Sequence, residues 1–153
     1  MVDQFVTNTN AKLSHGGERA SYSPLEDQIH MPDLERFKDA DAYYATMLHE
    51  LTHWTIRDER CPRKFRPSIF GTANYAREEL IAELGATFLC ADLQISLMPR
   101  PDHAEYIANW LEVLRNDKRA IFHAAATAQR AADFLHSLQQ SEHADSKSAR
   151  EIA

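Results

Sequence analysis

Apolar positions repeat most regularly between residues 41 and 57, DAYYATMLHELTHWTIR, where Tyr43, Tyr44, Met47, Leu48, Leu51 and Trp54 fall on one broad arc of a helix turning about 100° per residue. His49 and His53, four residues apart, share the other side with Ala42, Ala45 and Ile56. A second helical stretch, residues 74–93, is apolar nearly all round, which predicts a buried helix. Its carboxylates are unevenly placed. Glu79 and Glu83 fall on one stripe with Ala82, Ala86, Cys90 and Leu93, whereas Glu78 lies well off it. A third helix is expected over 103–116, opened by a capping box of Asp102 and Glu105, with Tyr106, Trp110, Leu111 and Leu114 as core. A fourth, over 118–139, presents Ile121, Phe122, Ala125, Ala128, Ala132 and Leu135 as its packing face.

Before the first helix the pattern changes. Phe5-Val6-Thr7, Ala11-Lys12-Leu13, Ala20-Ser21-Tyr22-Ser23 and Asp27-Gln28-Ile29-His30-Met31 read as extended segments, with His15-Gly16-Gly17 as a turn. They predict a small antiparallel sheet of two to four strands, ended by Pro32 and followed by a helical turn at 33–38. Asp39 or Asp41 is positioned to cap the first helix. Strands followed by about four helices make the fold class α+β. Between the first two helices, DERCPRKFRPSIFGTAN is a long loop made basic by Arg57, Arg60, Arg63, Lys64 and Arg66, and is expected to be a solvated charged segment. Residues 1–140 are read as one domain, and the polar stretch 141–153 as a flexible tail.

Composition narrows the function classes. With 153 residues, 44% hydrophobic and 26% charged, the chain can bury a core of ordinary size. A net charge of −6 argues against a protein whose main task is to wrap nucleic acid, leaving contact through a partner or the basic loop. No apolar run approaches a membrane span, and the N-terminus lacks the regions of an export signal. Cys61 and Cys90 are therefore expected to be reduced thiols in a cytoplasmic protein.

The chemistry lies in His49-Glu50-Leu51-Thr52-His53, an H-E-x-x-H on a helix. Its spacing points two imidazoles at one metal ion and sets Glu50 about a quarter-turn away, placed to act as general base on metal-activated water. The buried stripe of Glu79 and Glu83 is costly unless paired or metal-bound. Small residues on both helices would let one of these carboxylates reach a metal held by the other helix; either acid meets that requirement. His103 is a weaker candidate for stabilising an oxyanion, and His123 and His136 read as structural or solvent-facing.

Glu79-x-x-Ala82-Glu83 resembles the E-x-x-A-D segment of gluzincin peptidases, in which the first acid binds zinc. The resemblance implies Glu79 as the third ligand and Glu83 as an acid holding a ligand histidine from behind. More broadly, YSPLEDQIHMPDLERF, YYATMLHELTHWT, NYAREELIAELGATFLCADLQI and the helical segment from DHAEYIANWLEVL onward resemble the C-terminal domain of ArdC/TraC-type antirestriction proteins. This implies a zincin-like, gluzincin metallopeptidase fold, a Zn2+ cofactor, a protein or peptide substrate, and an association with mobile DNA. The single-stranded-DNA-binding domain usual at the family's N-terminus has no counterpart here, so DNA binding is not carried over. Two other roles stay open: a non-catalytic zincin-fold module that blocks a restriction enzyme, and a regulatory peptidase acting on one host protein.

Overall fold

The computed structural model describes residues 2–63, 72–96 and 103–139, with 103–109 as backbone alone. Its elements in chain order are α1 (Val2–Asn8), β1 (Lys12–His15), β2 (Ser21–Ser23), β3 (Gln28–Met31), a 3-10 turn at Leu34–Arg36, α2 (Ala40–Trp54), α3 (Ala73–Asp92), α4 (His103–Asn116) and α5 (Ala120–Ser137). The α+β class and the helices from α2 onward agree with the expectation.

Two features of the N-terminal region differ. Phe5-Val6-Thr7 belongs to a helix. Val2, Phe5, Val6 and Thr9 stand at helical spacing, and Phe5 and Val6 are buried against the core. Thr7 Oγ1 bonds back to Asp3 O and Gln4 to Asn8, so the polar residues complete the turn themselves. The sheet is mixed. Its order is β1-β3-β2, with β1 parallel to β3 and β2 antiparallel to it. The chain passes from β1 through β2 before laying β3 between them, and Gly16 and Gly17, both at positive φ, make the corner. Along β3, Ile29 and Met31 point into the core while Gln28 and His30 face outward.

The core lies between this sheet and the helices. Ile29 and Met31 meet Met47, Leu48, Leu51 and Trp54 of α2, with Leu89 and Cys90 of α3 and Ala132 and Leu135 of α5 behind them. Asp39 supplies the cap of α2, accepting from Ala42 N at 2.8 Å, while Asp41 accepts from Ser96 N. Ala124, Ala128 and Ala132 line the buried side of α5, and their small size lets it lie close along α3. Phe122, placed on that face by the sequence pattern, is 75% exposed, and Leu111 is 47% exposed. Ala124 and Val113 take the inward positions instead. The tail at 141–153, the capping pair's Asp102, and the side chains of His103, Glu105 and Tyr106 lie outside the described residues, as do Lys64 and Arg66.

At Gly85 α3 approaches α2 closely. A Cβ there would stand 2.5 Å from Thr52 Cγ2 and 2.7 Å from its Oγ1. This contact presses the acidic stretch of α3 against the histidines of α2.

Candidate metal centre

His49 and Thr52 are buried on the side of α2 that faces α3, Glu50 is buried next to them in the chain, and His53 is 14% exposed. Across the seam come Glu78 and Glu79, both buried, and Glu83, which is half-buried. The two imidazoles stand edge to face and bring their Nε2 atoms within 3.1 Å of each other. Glu79 faces both. Its Oε2 is 3.5 Å from His49 Nε2, and its Oε1 is 3.3 Å from His53 Nε2. Among the described residues these three form a group that could hold a metal ion. Two nitrogen ligands on a tetrahedral zinc, each about 2.0–2.1 Å from it, are about 3.3–3.4 Å apart, so the separations suit one ion.

The far side of each ring is also occupied. His49 Nδ1 lies 3.1 Å from Glu83 Oε1, and His53 Nδ1 lies 3.1 Å from Glu78 Oε1. Burial alone would push the His49 pKa down, but the contacts with Glu79 and Glu83 outweigh it and raise the value. At His53 burial is outweighed further, by Glu78 and Glu79, and its pKa stands well above the ordinary range. Burial would raise the Glu79 carboxyl; hydrogen bonds and charge from the two imidazoles instead hold it well below the usual range. Four carboxylates, Glu50, Glu78, Glu79 and Glu83, thus crowd two imidazoles and one guanidinium, that of Arg63. Burying such an excess of negative charge requires positive charge in its midst, from protons on the rings or from a cation.

The sequence pattern therefore placed His49, Glu50, His53, Glu79 and Glu83 in one neighbourhood, and they are in one. It set Glu78 aside, and Glu78 is there too. It also expected a solvated basic loop. Arg63 is instead buried, donating to Glu78 Oε2 at 3.1 Å, and Arg60 is bonded to Asp27 and stacked over Trp54. His123 is exposed, and His136 pairs with Asp92 at 3.0 Å. A separate cleft of about 520 Å³ is lined by the cations Arg63, Arg77 and Arg130, and shares only Arg63 with the cluster.

A helix bearing H-E-x-x-H, packed on a second helix that turns a glutamate toward both histidines, beside a small sheet, is the architecture of a zincin. The chain belongs to the zincin-like metallopeptidase family, which it matches over residues 1–127. It is 46% identical over 138 residues to the protein y4eC of Sinorhizobium fredii, covering 90% of this chain and 45% of that one. It is 40% identical over 140 residues to the DNA primase TraC of Escherichia coli, covering 91% of this chain and 13% of that one. Among solved structures it is similar to the antirestriction protein ArdC from a plasmid, in its Mn(II)-bound form. That match has a TM-score of 0.80 at 45% identity, over 91% of this chain and 52% of that one. The metal-free form of ArdC matches with a TM-score of 0.77 at 44% identity, over 90% and 49%. The chain thus spans about half the length of y4eC and ArdC, and far less of TraC. Among the described residues no helix is long and apolar enough to cross a membrane.

Proposed function

We propose that this chain is a zinc-dependent, metallopeptidase-like domain of the antirestriction type, with His49, His53 and Glu79 as metal ligands and Glu50 as general base. One observation carries the reading: two imidazoles and one carboxylate converge, with Nε2–Nε2, Nε2–Oε1 and Nε2–Oε2 separations of 3.1, 3.3 and 3.5 Å, in a buried setting and with Glu50 next to His49 in the chain. A bound divalent ion would acidify a water and polarise the carbonyl it faces. The chain's own groups do the rest. Glu50 takes the proton from the attacking water and returns it to the leaving amine. Glu83, whose Oε1 lies 3.1 Å from His49 Nδ1, places negative charge behind that ring, which favours an Nε2 lone pair turned toward the site. Glu79 supplies the negative charge that a His₂Glu set uses to hold a dication.

The substrate class that follows is a protein or peptide, met in the cytoplasm. The similarity to ArdC supports antirestriction as the setting, with any nucleic-acid contact made through a partner or the basic loop. ArdC was solved with Mn(II), and a His₂Glu set accepts several divalent ions, so zinc is the choice to be tested first.

The test is elemental analysis of the purified chain beside Glu79→Ala and Glu83→Ala. The expected result is about one zinc per chain in wild type, lost in Glu79→Ala and only weakened in Glu83→Ala. The swapped pattern would exchange the two roles, and no metal in wild type even after adding zinc would overturn the reading. For the chemistry, Glu50→Gln should keep the metal and abolish activity. If cells carrying that variant remained fully protected against restriction, the chain would be a binding module instead.

A further inference from the structure

His53 is held from behind by more than a carboxylate. Glu78 Oε1 sits 3.1 Å from its Nδ1, and the other oxygen of the same carboxylate accepts from Arg63 Nε at 3.1 Å. The Arg63 side chain is 1% exposed. Its Nη2 donates to Thr52 O and Thr55 Oγ1, each at 3.1 Å, and its Nη1 to Cys61 O. A single guanidinium therefore ties together the last turn of α2, the segment that follows it, and the first half of α3. Thr52, Thr55, Arg63 and Glu78 are all buried.

We infer that Arg63 and Glu78 form a positioning pair for His53, an inference that rests on the metal-ligand reading above. Glu78 accepts the Nδ1 proton, so the Nε2 lone pair faces His49 and Glu79. Arg63 fixes the plane of the Glu78 carboxylate, because its planar fork reaches Glu78, Thr52 O and Thr55 Oγ1 in a geometry that lysine cannot copy. The orientation of one ligand is thereby made to depend on a residue of the segment after α2, well outside the H-E-x-x-H motif. Glu78 and Arg63 touch neither substrate nor the reacting atoms; they act through the ring.

The experiment measures zinc affinity of the full chain, by competition with a chromogenic chelator, for wild type, Glu78→Gln, Arg63→Lys and the control Arg57→Ala, whose guanidinium bonds Glu59 and Pro24 O instead of the cluster. Each protein is also melted in chelator to read the metal-free fold. The expected result is a loss of about 10–100-fold in zinc affinity for Glu78→Gln and for Arg63→Lys, with Arg57→Ala unchanged. Both variants should still melt cooperatively without metal, and Glu78→Asp should recover part of the affinity. Folded variants that bind zinc as wild type does would overturn the pair alone. Loss of the metal-free fold in both variants would assign the pair to folding and equally overturn the positioning role. A wild type that binds no metal would overturn the metal reading together with this one.

Discussion

Arg60 shows how much one side chain of the post-motif segment holds in place. Its guanidinium carbon lies 3.5 Å from the Trp54 ring centroid, and it donates to both oxygens of Asp27, at 2.8 and 2.6 Å, and to Trp54 O at 2.7 Å. The end of α2 is thereby clamped to the turn that opens β3. The hydrogen bonds from Arg60 hold the Asp27 carboxyl below its ordinary value, against a smaller opposing effect of burial. Because the folded value lies below the unfolded one, the pair stabilises the protein fully above the ordinary carboxylate range. That contribution is lost as pH falls through the folded value. Asp27→Asn should cost about 1–2 kcal/mol at pH 7, measured by urea unfolding. The gap from wild type should close as the pH is lowered through the folded value of Asp27; a gap independent of pH would show that the charge is not what matters. Glu78 carries the lesson about legibility at this scale. The helical stripe finds acids that approach the histidines from one direction, so Glu79 and Glu83 stood out. Glu78 reaches the back of the His53 ring from outside that stripe, so the pattern passed over it. Arg63 was hidden for a different reason: nothing in a loop sequence distinguishes a buried arginine from a solvated one until its acceptors are known.

Between elements, the decisive contact is the seam of α2 and α3. Glycine inside a helix costs about 1 kcal/mol relative to alanine, yet Gly85 sits in the middle of α3. Thr52, fully buried and donating to Leu48 O at 2.8 Å, occupies the space where a Cβ would go. It cannot turn away without losing that bond, so Gly85→Ala must push the helices apart. Overpacking of this kind costs about 1–3 kcal/mol, which exceeds the gain in helix propensity. The variant should be destabilised by about 1 kcal/mol and bind metal more weakly, because Glu79 and Glu83 ride on the displaced helix. Adding Thr52→Ala should restore much of both, and a double-mutant cycle in chemical denaturation would measure the coupling. Strict additivity would mean the two residues do not meet as described. The alanines of both helices made a close seam legible beforehand. The register did not show, because periodicity gives faces and not the height at which two helices cross. The first helix was misread for a related reason: in Phe5-Val6-Thr7 the local preference for extended structure is strong. Burial against α5, with Gln139 bonded to Phe5 O, settles it the other way.

For the whole molecule, the question is whether the metal builds the fold or only occupies it. In zinc fingers the ligands have no other support, and the chain is unfolded without its ion. Here the core of sheet, α2, α3 and α5 is formed from apolar residues independent of the cluster. The rings of His49 and His53 are also held from behind by Glu83 and Glu78. The similarity to ArdC points the same way, since its metal-free form matches this chain almost as well as its Mn(II)-bound form, at TM-scores of 0.77 and 0.80. The chain should therefore fold without metal and gain stability by mass action when metal is added. At free zinc about 100-fold above the dissociation constant, linkage gives about 2.7 kcal/mol. For a chain of this size that corresponds to a rise in Tm of about 5–10 °C. Calorimetry in chelator and over a zinc titration would read it directly: a cooperative melt at every concentration, shifting upward without a change in cooperativity. A chain that shows no transition until zinc is added would make the ion a builder of the fold, and the charge crowded around His49 and His53 the reason it cannot fold alone.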